Sequence, residues 1–363
     1  MEIARIVVLG LAVVVGIVVY RRIVGPSSGK AGPSKDAEAL GLLPAYRQNT
    51  KLPAPAPELE RVLVAAARLD WEPAARLLAE TRESRDWERR CDIASSLGHA
   101  AGEGDGSWLD AWAEAAGPYD PDVAVVRAHA TVALAWELRG AAFAKHTTRE
   151  QFEGFHRVLA QAPQDIARAA ELNPDDPTPY VAEIWTALGT GYPHPEMHRL
   201  WARITARAPH HYDAHYAALQ YWCRKWRGSV ELAESFAREA ASAAPMGTLL
   251  RALPLVAWYE HHDDDAKAAD FRSPELVAVV DAALADVAVA PVGHPSLAEV
   301  RHLLAYFLVR QGRHEAALEQ FRLVDGHVNA LPWSYYNDPA GVYCHWRDKA
   351  ARGARKRFGG FGG

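Results

Sequence analysis

The sequence predicts an all-α protein. Three observations carry that prediction: helical periodicity from Glu58 onward, the lack of any convincing alternating strand, and helix-ending prolines at near-regular intervals. Pro174, Pro209 and Pro245 stand 35 and 36 residues apart. Each interval holds two helix-length apolar patterns, which is how a repeat of helix hairpins reads in sequence. The predicted architecture is an N-terminal transmembrane helix followed by an α-solenoid of antiparallel hairpins.

The first element is an uncharged run, Ile6 to Tyr20, with Arg5 before it and Arg21 and Arg22 after it. Fifteen residues of helix at about 1.5 Å each fall short of a hydrocarbon core of about 30 Å. Ile3, Ala4, Ile23 and Val24 extend the run, and the arginines can snorkel to the interface, so the anchor is placed at residues 3–24. The start Met-Glu-Ile-Ala-Arg and the missing small-residue cleavage site argue against a removed signal peptide. Arg21, Arg22, Lys30 and Lys35 follow the run, which predicts an N-terminus outside and a body in the cytoplasm, at a bacterial inner membrane. Cys91, Cys223 and Cys344 are odd in number and far apart, which suits a reducing compartment.

Residues 25–57 are rich in Pro, Gly, Ser and Ala and read as a disordered linker, stiffest at Lys51 to Pro57. Gly25-x-Ser27-x-Gly29 has the form of a hydrolase nucleophile elbow but lacks the flanking strand and helix. Gly29-Lys30 ends like a phosphate loop, yet the spacing is short and Ala31 stands where Ser or Thr belongs.

Residues 58–346 form the predicted helical domain. Met197, Leu200, Trp201, Ile204 and Ala208 mark one apolar face, with Arg199, Arg203 and Arg207 opposite. Val125, His129, Val132, Trp136 and Phe143 draw a second stripe, and Leu304, Phe307 and Leu308 a third. Ser296-x-x-Glu299 and Thr147-x-x-Glu150 have capping-box form, and Pro274 and Pro179 stand at helix starts.

In residues 301–324, Leu304, Ala305, Leu308, Gly312, Ala317 and Phe321 fall on the spacing of a tetratricopeptide repeat. Leu63 to Leu78, with Asp70-Trp71 in the turn and Ala74 after it, is similar to that repeat in looser form. The stretch from Arg207 to Pro245, with Trp226-Arg-Gly-Ser229 in its turn, resembles an uncharacterised bacterial family of tetratricopeptide-like helices, as seen in actinobacteria. That resemblance implies a fold over residues 60–345 and no particular activity. The interval from Pro121 to Pro174 is longer, at 53 residues, and departs from the period.

Chemistry is sparse in the sequence, and no catalytic residue or cofactor is nominated. Histidines cluster at His194 and His198, at His210, His211 and His215, and at His261 and His262 before Asp263, Asp264 and Asp265. His211 and His215, at i and i+4, can share a divalent ion. A metal-dependent hydrolase using the clusters between His194 and Asp265 is therefore one alternative. The form His194-Pro-Glu-Met-His198 breaks the metalloprotease signature, and histidines on helix ends and solvated faces are the plainer reading. His129 sits inside an apolar stripe, as a core imidazole or as an acid or base near Glu137 and Arg139. No Ser-His-Asp or Cys-His arrangement can be nominated from spacing, and the cysteines read as packing residues.

Tyr212, Tyr216, Tyr221, Trp222, Trp226 and Arg227 are the candidate contacts for a protein or peptide partner, since aromatic rings with Arg form the energetic centres of interfaces. The competing reading is that such rings fill gaps between repeats. The tail, residues 347–363, is basic and Gly-rich and is expected to be disordered. It offers anionic lipid a contact, and nucleic acid a weak one. A net charge of -5 gives no general attraction to nucleic acid. The expectation is a membrane-anchored adaptor or scaffold with no catalysis required.

Overall fold

The computed structural model describes residues 35–140 and 148–359. The predicted anchor, Phe143 and Thr147 lie outside the described residues. Among those described, no strand forms and no helix is long and apolar enough to cross a membrane. The chain divides into two compact units, one of Ala56–Ala233 and one whose described part is residues 35–55 and 234–359. The helical domain expected at 58–346 runs across both units.

In the first unit the helices are α2 (Pro57–Ala66), α3 (Glu72–Ser84), α4 (Trp87–Glu103), α5 (Ser107–Ala116), α6 (Pro121–Arg139), α7 (Arg149–Leu159), α8 (Ala162–Leu172), α9 (Thr178–Thr190), α10 (His194–Thr205) and α11 (Tyr212–Trp222), with the division falling in α12 (Val230–Ala243). α6 is the centre. Asp120 caps it by accepting from the Asp122 and Val123 amides at 2.8 and 3.0 Å, and Gly140, at φ +73°, ends it. Val125, Val126, Ala128, Val132, Ala135 and Trp136 are buried around most of its circumference, against α4, α7, α8 and α9. A helix apolar on nearly every side must be surrounded.

α4 crosses α6 so closely that only glycine fits. A Cβ on Gly98 would meet the His129 Cβ at 2.6 Å and the Ala130 nitrogen at 2.8 Å, and one on Gly102 the Leu134 nitrogen at 3.1 Å. The 53-residue interval also finds its reason here. Two short helices, α7 and α8, pack in succession on the long α6, where the next interval holds the single hairpin α9–α10. The cap of α7 is one residue later than its sequence form: Thr148 pairs with Gln151 in a capping box.

The second unit contains α1 (Lys35–Glu38), a 3₁₀ turn at Ala45–Arg47, α13 (Leu253–His262), α14 (Pro274–Val289), α15 (Leu297–Gln311), α16 (His314–Val324) and α17 (Pro339–Gly359). α15 and α16 form an antiparallel hairpin around Gly312, whose φ of +78° is the left-handed turn that glycine adopts without strain. Leu304, Ala305, Leu308, Ala317 and Phe321 are fully buried within it.

Two expectations are corrected in this unit. The spacer is ordered from Lys35 to Pro55. Leu42 and Leu52 are buried, Asn49 exchanges main-chain hydrogen bonds with Gly326 and Val328, and the Leu43 amide donates to Asp325 at 2.6 Å. The tail is helical as far as Gly359, and Arg347 is wholly buried. Its guanidinium donates to the Leu43 carbonyl at 2.5 Å and pairs with Asp325 at 2.9 Å and Asp348 at 3.0 Å. Both segments lack a core of their own and gain order from each other and from Asp325, far away in sequence.

Candidate functional site

The polar heart of the first unit is Arg90, fully buried on α4. It reaches Asp176 at 2.5 Å, Asp122 at 2.8 Å and the Leu78 carbonyl at 2.9 Å, joining α4 to α3, to the first turn of α6 and to the segment before α9. Arg82 approaches Asp122 at 3.3 Å. Burial nevertheless raises the Asp122 pKa, against the pull of Arg90 and Arg82. With its charges facing one another, this network orients helices.

Next to it, α4 meets the start of α11. Glu88 accepts from the Tyr212 amide at 2.6 Å and lies 3.4 Å from His211 Nδ1. His211 is the N-cap of α11: its Nε2 faces the Trp87 carbonyl at 3.1 Å, and its Nδ1 accepts from the Ala214 amide at 3.3 Å. A carbonyl only accepts, so Nε2 carries a proton and Nδ1 is free to cap. Burial lifts Glu88 to about 7, with Asp213 adding to the rise and His211 opposing it. Asp92, one turn on, is lifted to about 7 by burial, with Asp213 adding to it. Two carboxyls that hold protons near neutrality stand on one face of α4.

The histidines singled out in the sequence serve backbone and rings. His215 Nδ1 faces the His211 carbonyl at 2.8 Å, its ring meets Trp201 edge-on at 4.7 Å, and burial lowers its pKa to about 4. His194 faces the Arg227 carbonyl at 2.8 Å, and His198 packs on Trp222. His194 to His215 belong to the first unit and His261 to Asp265 to the second. His262 faces Glu234 at 2.8 Å, and His261 the Ala257 carbonyl. Among the described residues no three His, Cys, Asp or Glu side chains are grouped to hold a metal ion. His129 is buried with its pKa lowered to about 4, by burial first and His99 second. Its electrostatic neighbours are His99, Asp176 and Arg90, not Glu137 or Arg139. Cys91 and Cys223 are buried thiols, and Cys344 is half-buried.

The aromatic candidates divide. Tyr212, Tyr221 and Trp222 are buried, and the Tyr221 hydroxyl donates to the Tyr192 carbonyl at 2.6 Å. Tyr216 is half-buried, Trp226 is half-buried against Trp136 at 5.7 Å, and Arg227 is exposed. Rings spaced like interface anchors here mostly close the gaps between helices.

The second unit assembles an aromatic site of its own. Tyr259 on α13, Tyr306 on α15 and Trp346 on α17 touch in series, edge to face, at 5.9 and 5.3 Å. The Tyr306 hydroxyl donates to Asp263 at 2.8 Å and accepts from Arg310 at 3.0 Å, and the Tyr335 hydroxyl donates to Glu260 at 2.6 Å. Burial and the charge of Asp263 raise the Tyr306 pKa far above its ordinary value, so the phenol stays protonated. Trp346 and Arg310 remain half-exposed at the edge of this ladder. Asp263 and Arg310 join these rings through the fold alone.

No family model, curated protein or solved structure matches this chain. Its function is therefore argued from the residues themselves.

Proposed function

We propose that this chain is a binding protein: a tetratricopeptide-like array of helix hairpins that holds a segment of another protein, tethered through residues 3–24 to the cytoplasmic face of a bacterial membrane. The adaptor reading rests on one observation above all. Three helices of the second unit, α13, α15 and α17, meet through the Tyr259, Tyr306 and Trp346 rings and leave Trp346 and Arg310 half-exposed at the edge. Aromatic rings with arginine are the side chains that carry most binding energy at protein interfaces. The rival metal-dependent hydrolase finds no support in His211 and His215, whose imidazoles bond to main-chain groups.

The test is site-specific crosslinking in cells. A photoreactive amino acid at position 346 is expected to give a discrete adduct in the membrane fraction, and one at the exposed Leu323 on α16 is expected to give none. Equal, diffuse labelling from both positions would count against a partner at this face.

A further inference from the structure

The second unit sets Arg310 and Lys349 against the Trp346 indole and brings Arg272 and Arg352 within electrostatic reach of Lys349. Arg272 comes from the turn before α14, Arg310 from the last turn of α15, and Lys349 and Arg352 from α17. The Arg310 guanidinium carbon lies 3.7 Å from the Phe271 ring centre, 5.4 Å from Trp346 and 5.6 Å from Tyr306. Three rings and the hydrogen bond to Tyr306 hold this long side chain in place before any ligand arrives. Lys349 Nζ lies 4.8 Å from the same indole. Arg272 reaches the turn that ends α15, since a Cβ on Gly312 would stand 3.9 Å from its guanidinium. Burial lowers the Lys349 pKa, and Arg310, Arg272 and Arg352 lower it further, so all three arginines are within electrostatic reach of Lys349. His314 and His345 also feel Lys349.

Like charges kept this close repel, whereas two arginines of the same unit are answered by acids. Arg313 pairs with Asp281 at 2.6 Å, and Arg347 with Asp325 and Asp348. Among the described residues, no ion pair answers Arg272, Arg310, Lys349 or Arg352. The acids nearby are engaged: Asp263 and Glu260 accept from tyrosine hydroxyls, Asp348 from Arg347, and Asp270 from the Lys267 amide.

We infer that this face binds an acidic peptide segment, its carboxylates meeting Arg272, Arg310, Lys349 and Arg352 while an apolar side chain lies against Trp346. The inference rests on the binding-protein reading and names the chemistry of the segment held. A short acidic segment senses only local charge, because screening removes fields beyond about 8 Å at physiological salt. A long polyanion meets the whole chain, whose net charge is -5.

The experiment is fluorescence anisotropy with the full chain in neutral detergent and a labelled decapeptide of Asp and Glu with a central Leu. Saturable binding is expected, weakening steeply with salt. The doubly reversed variant Lys349→Glu with Arg352→Glu is expected to lose at least tenfold in affinity, as is Arg272→Glu on a separate segment. All three side chains are exposed, so folding is expected to survive and is verified by circular dichroism. The corresponding Asn and Gln peptide is expected not to bind. Absent saturation, unchanged affinity in both variants, or tighter binding of an oligonucleotide or of phosphatidylserine vesicles would overturn the inference. A discrete crosslink from position 346 without acidic-peptide affinity would leave the binding-protein reading standing and remove this one.

Discussion

Acid is expected to loosen the second unit through His302. Its imidazole is fully buried, with Nε2 donating to the Pro53 carbonyl at 3.1 Å and Nδ1 accepting from the Trp333 indole N–H at 3.0 Å. Both nitrogens are satisfied only in the neutral ring; a second proton would set two donors against each other at Nδ1. Burial, and secondarily His327, lower the pKa from 6.5 to about 4. Below pH 6.5 the unfolded chain takes up a proton that the folded chain refuses, so stability falls as pH drops from 6.5 and levels off below about 4. The full difference is about 3 kcal/mol. His302→Gln keeps a donor and an acceptor but cannot titrate. Urea denaturation followed by hydrogen exchange in the second unit is expected to show a shallower acid slope in the variant, by about that amount, whatever its stability at neutral pH. A wild-type slope retained in the variant, or a His302 imidazole resonance that titrates near its ordinary value, would refute the role of His302.

Three further perturbations are aimed at the first unit. Arg90→Ala leaves Asp122 and Asp176 buried without their partner, and a loss of about 3–5 kcal/mol is expected by chemical denaturation. Gly98→Ala forces α4 away from His129 and the Ala130 backbone, at a cost of about 1–3 kcal/mol, read as a lowered melting temperature. Glu88→Gln acts with the opposite pH sense to His302. The folded state holds a proton on Glu88 up to about pH 7, so native stability falls as pH rises from 4.5 through 7, and the variant is expected to flatten that fall. Denaturation midpoints at pH 5 and pH 8 that shift equally in the variant would contradict the raised pKa of Glu88.

Much of the helical organisation was legible because it is local. The stripe Met197, Leu200 and Ile204 is fully buried, as is Leu304, Phe307 and Leu308, and Pro174, Pro209 and Pro245 each follow a helix. Periodicity of 3.6, caps and prolines are properties of neighbours in the chain. The site was far less legible. Tyr212, Tyr221 and Trp222 have the composition of an interface yet lie inside, since ring type does not say which face of a helix meets its neighbour.

By itself, then, the sequence determined the helical class, several helix ends and the hairpin at Gly312, all written in residues close together. Tertiary structure alone decided the division into two units, the order of residues 35–55, and the meeting of Arg310 and Lys349 at Trp346 with Arg272 and Arg352 in electrostatic reach of Lys349. The physical reason is common to all three. Each depends on groups distant in the chain, such as Leu43 with Arg347, or Arg272 with Lys349, whose mutual energy exists only once the helices between them have packed.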